Sequence, residues 1–146
     1  MSTPTALTFW DGVYASRPPA TDPLPNVRLT ETVPDLAPGD ALDLGCGHYL
    51  HTPLALDRAA VLRTAARSLR PGGRLLVVDH AATAPWSWDQ APEVRYPGPR
   101  EVAADISLDP ATWTVERAES PRRIATGPGG HTAEVTDHVL VIHRTG

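Results

Sequence analysis

The chain has 146 residues, the size of one domain that buries roughly 68–70% of its unfolded surface on folding. Its formal net charge of -4 comes without a long run of either sign, so nothing in it calls for nucleic acid or an anionic membrane surface. The single cysteine excludes an internal disulfide and fits a reducing compartment.

No stretch approaches the ~18 apolar residues of a membrane span. The N-terminus shows neither a basic start nor an apolar run of ~7–15 residues, so no signal peptide is expected. The expected protein is soluble and cytoplasmic. All 13 basic residues are arginine, a bias that reads as base composition, with most of the side chains solvated on helix faces.

In chain order, residues 1–16 have helical character around Phe9-Trp10-Asp11-Gly12-Val13-Tyr14. A connector rich in proline follows, from Pro18-Pro19 to Pro38, and completes an entry segment over 1–39. Pro38-Gly39-Asp40 turns into Ala41-Leu42-Asp43-Leu44, a short strand ended by Gly45-Cys46-Gly47. Thr52-Pro53 is a helix start, with a hydroxyl at the N-cap and proline where a missing N–H costs nothing. Val61, Leu62, Ala65, Ala66 and Leu69 continue it at helical spacing, with Arg58, Arg63, Arg67 and Arg70 mostly off that stripe.

Pro71-Gly72-Gly73 stops the helix, and Leu75-Leu76-Val77-Val78 has the unbroken apolar pattern of a parallel strand buried on both faces. Residues 41–79 thus read as one right-handed βαβ unit. A second helix is predicted over Arg100–Ile106. Trp113-Thr114-Val115-Glu116 and Val139-Leu140-Val141-Ile142 are predicted strands of an antiparallel C-terminal pair, with Gly127-Pro128-Gly129-Gly130 as a turn within a hairpin-like region.

A strand running into Gly-x-Gly brings backbone N–H groups close to a nucleotide without Cβ interference. In this setting Asp43-Leu44-Gly45-Cys46-Gly47, followed in order by Leu69-Arg70-Pro71-Gly72-Gly73-Arg74-Leu75-Leu76-Val77-Val78, resembles a class I S-adenosylmethionine-dependent methyltransferase. Trp10-Asp11-x-x-Tyr14 and Leu50-His51-Thr52-Pro53 resemble the thiopurine- and tellurite-type branch of that family. The resemblance covers most of residues 9–144 on both sides of a gap after the glycine turn. Roughly two βα units are missing there, on the order of 60 residues at ~30 per unit.

The resemblance implies a reduced Rossmann-like α/β sheet in a single domain, 1–146, and S-adenosylmethionine as cofactor. It implies in-line methyl transfer to a small-molecule acceptor. Asp43, Gly45, Cys46 and Gly47 are the implied cofactor-binding residues. Trp86 and Trp88 follow the last parallel strand, where loops form the ligand crevice of an open α/β sheet. With Trp10 and Tyr14 they either wall the acceptor site or cover sheet edges or a dimer contact. No catalytic residue is identified. His48 and His51 are either a base beside the turn or exposed loop residues.

An acid ~20 residues beyond the glycine turn holds the ribose in nucleotide-binding βαβ folds; here that position falls at Ala66 and Arg67. Its absence makes a non-catalytic remnant, acting as an oligomerising or interaction module, the alternative reading. Loss of strands beside 41–44 leaves an exposed sheet edge, so a homo-oligomer is expected. No metal site is expected: His138 and His143 are five apart, on opposite faces of a strand.

Overall fold

The computed structural model describes residues 15, 25–42, 57–87, 95–127 and 130–146. The chain divides into two compact units, Met1–Pro34 and Asp35–Gly146, with the division inside the proline-rich connector. In the first unit a short helix, α1 (Val27–Thr32), is capped by the Asn26 side chain, which accepts from the Arg28 N–H at 2.8 Å.

The second unit has the order α2 (Arg58–Ser68), β1 (Arg74–His80), α3 (Pro99–Ile106), β2 (Trp113–Glu119), β3 (Arg122–Thr126) and β4 (Thr132–Arg144). β4 is the spine of a four-stranded sheet. β1 pairs with it from Arg74↔His143 to His80↔Asp137, β2 pairs with its C-terminal half, and β3 pairs with its N-terminal half. All these pairings are antiparallel. The antiparallel C-terminal pair expected from the sequence is present as β2 and β4. The partner strand expected at 41–44 is described only at Ala41 and Leu42; neither is in a strand, and Leu42 is 82% exposed. Asp43 and Leu44 lie outside the described residues, so no parallel βαβ pairing is found among those described.

The strand buried on both faces is also not the expected one. β1 is mostly half-buried, whereas Val139, Leu140, Val141 and Ile142 of β4 are all buried. β4 has strands on both sides, so the apolar run with the most neighbours loses the most water. Leu62 of α2, Val102 and Ile106 of α3, Val77 of β1, and Leu140 and Ile142 of β4 form the core. Each such side chain contributes about 1.5–3 kcal/mol when fully buried.

Helix ends follow local chemistry. α2 as described starts at Arg58, with Asp57 as N-cap accepting from the Ala60 N–H at 3.1 Å; Thr52 and Pro53 lie outside the described residues. Its stop is the anticipated glycine pair. Gly72 has φ +83, which suits glycine, and a Cβ on Gly73 would lie 2.8 Å from the Arg70 carbonyl oxygen. Gly72 N–H donates to the Arg144 carbonyl at 2.7 Å, tying this turn to the end of β4.

Two arginines finish the helices. Arg63 donates from Nε to the Ile106 carbonyl at 2.8 Å and from a terminal nitrogen to the Asp105 carbonyl at 2.9 Å, satisfying the end of α3. Arg144 donates to the Leu69 carbonyl at the end of α2 while its guanidinium lies 5.7 Å from the Trp113 ring centroid.

Ser107 closes α3 in the left-handed region, φ 52 and ψ 56. A left-handed L-residue costs about 1–2 kcal/mol, partly offset in glycine by its larger unfolded-state entropy. Ser107→Gly should therefore raise stability by about 0.5–1 kcal/mol, read as a higher urea midpoint with unchanged slope. A lower midpoint would contradict this cap geometry.

Candidate functional site

The C-terminal end of β1 gathers the chemistry. Asp79 and His80 are consecutive strand residues, so their side chains leave opposite faces of the sheet. Their register partners on β4 are His138 and Asp137. Each face therefore carries one Asp opposite one His, and each Asp is anchored by an arginine.

On one face Asp79, with a side chain 10% exposed, is ion-paired with Arg58 of α2. Burial pulls the Arg58 guanidinium below its ordinary range, and the charge of Asp105 pulls it back up. The Arg58 Nε is buried with no hydrogen-bond partner among the described residues. His138 Nδ1 shares a 2.8 Å hydrogen bond with Ser120 Oγ, at the bend between β2 and β3. On the other face Asp137 is only 2% exposed and accepts from Arg123 Nε at 2.8 Å. A buried carboxylate persists because such a charge-assisted bond offsets part of its desolvation.

The segment after β1 is pinned at three points. Ala81 N–H donates to the Thr136 carbonyl at 3.0 Å, and the Thr83 and Tyr96 hydroxyls are 2.8 Å apart. The half-buried Trp86 indole lies so close to Gly127 that a Cβ there would sit 2.2 Å from the ring. Gly127 begins the anticipated turn; its N–H donates to the His131 carbonyl at 2.7 Å and closes the β3–β4 hairpin.

Two shallow depressions flank the start of α3. One is lined by Asp79, His138 and apolar neighbours; the other by Arg58, Asp105 and Leu62 among others. Neither encloses the space of a small-molecule site.

Of the sequence-predicted site residues, Trp86 alone lies among the described residues, against the hairpin. Asp43, Gly45, Cys46, Gly47, Trp10, Tyr14 and Trp88 lie outside them, as do His48 and His51. No family model, curated protein or solved structure matches the chain. No group of three or more metal-ligating side chains occurs among the described residues, and no helix among them is long and apolar enough to cross a membrane. His138 and His143 stand on opposite faces of β4, as their spacing requires.

The Asp–His steps were missed in the sequence because the register of two strands far apart in the chain creates them, and only the apolar part of each strand was legible. Arg58 and Arg123 gave no signal either, since neither neighbours its carboxylate in sequence.

At the opposite end of the sheet, Glu116 takes a two-pronged bond from Arg74, at 2.7 and 2.9 Å, and lies 3.2 Å from His143 Nδ1. The Arg74 hydrogen bonds hold the Glu116 carboxyl below its usual range, against a smaller opposing effect of desolvation and with further help from the charges of Arg74 and His143. A depressed carboxyl contributes stability above its unfolded value, ~4.3, and loses it as pH falls through the folded value. The site is partly open to water, so Glu116→Gln should cost about 0.5–1 kcal/mol at pH 7. That cost should shrink toward zero in urea titrations as pH falls through the depressed folded value. An equal cost across that range would remove the charged pair as its cause.

Proposed function

We propose that this chain is an S-adenosylmethionine-dependent methyltransferase by descent, acting on a small-molecule acceptor, with Asp43, Gly45, Cys46 and Gly47 as its donor-site turn. The observation that supports the reading is the path from α2 through Gly72-Gly73 into β1, followed by an antiparallel pair of β2 and β4. That is the order the resemblance implies on the far side of the gap. The acceptor lies, on this reading, against the loop after β1, where Trp86 and Tyr96 are held in place. On this reading the single cysteine fits a reducing, cytoplasmic setting.

S-adenosylmethionine supplies an electrophilic methyl group on a sulfonium. The residues present do not fully fit it. The position ~20 residues beyond the turn, where a ribose acid is needed, falls within α2: Ala66 is 0% exposed in the core, and Arg67 carries the opposite charge. This observation favours the second reading, a methyltransferase scaffold kept as a non-catalytic interaction module. Calorimetry with S-adenosylmethionine on the wild type and on Asp43→Ala separates the two. Tight stoichiometric binding lost in the mutant supports an enzyme, weak or absent binding supports the remnant, and tight binding untouched by the mutation places the site elsewhere.

A homo-oligomer is expected on either reading, because the strands missing beside 41–44 leave an unpaired sheet edge, a template for a second copy. Light scattering on the full chain should give a mass of at least twice 15.6 kDa; a monodisperse monomer at high concentration would refute it.

A further inference from the structure

We draw no further inference here: the strongest candidate, the Ser120–His138 hydrogen bond on the Asp79 face at the end of β1, carries nothing, because Asp79 is committed to Arg58 and the shallow depression lined by His138 encloses no room for a substrate.

Discussion

Calorimetry on the isolated chain should show S-adenosylmethionine binding that is weak or undetectable, and weaker still in Asp43→Ala. The size of the effect follows from the ribose. Two hydrogen bonds from its hydroxyls to a carboxylate contribute about 1.5–3 kcal/mol each. Their loss, about 3–6 kcal/mol, is on the order of 10²–10⁴ in affinity. A micromolar donor site would fall toward millimolar. The α2 helix occupies the stretch where the acid belongs, and its Ala66 is packed rather than open to a ligand. Only a residue from elsewhere, including a second copy of the chain, could restore the contact. Micromolar binding that depends on Asp43 would overturn the remnant reading.

Arg123→Met should destabilise the protein by about 3 kcal/mol, the lower end of the ~3–5 found when one member of a buried ion pair is removed. The lower end applies because the Arg123 side chain is 31% exposed, so water reaches part of the pair. What remains in the mutant is Asp137, 2% exposed, without the guanidinium at 2.8 Å that offset its burial. The double variant Arg123→Met with Asp137→Leu should recover part of the loss, because it removes the buried carboxylate together with its guanidinium partner. Urea unfolding of wild type, both single variants and the double variant measures the coupling. With ~5–15 kcal/mol of total stability to draw on, the single change is large enough to read directly. Additive costs would mean that the two groups do not act as a pair.

The legible part of this fold was the part with local causes. Pro71-Gly72-Gly73 ends a helix wherever it occurs, because Gly72 reaches positive φ without strain and Gly73 leaves room for the Arg70 carbonyl. The helix over Arg100–Ile106 was visible from its spacing and appears as Pro99–Ile106. β1, β2, β4 and the turn beginning at Gly127 were likewise marked by apolar runs and glycine. β3 was not. Arg122-Arg123-Ile124-Ala125-Thr126 is polar, with Ile124 68% exposed, and becomes a strand because the hairpin lays it against Thr132–Thr136.

Taken alone, the sequence determined where α2 stops and that β1 follows it. These depend on φ preference, capping groups and apolar period, all set within a few residues. Tertiary structure decided strand direction, which run is central, and which charges are buried. An apolar run such as Leu75–Val78 is compatible with either direction of pairing; its seven-residue ladder from Arg74↔His143 to His80↔Asp137 makes it antiparallel to β4. The same ladder sets Asp79 opposite His138 and His80 opposite Asp137. Arg58 and Arg123 reach those carboxylates, and Arg63 reaches the end of α3, across 14 to 43 residues of chain. Such contacts depend on where the packed elements lie, and that information is absent from any local window of the sequence.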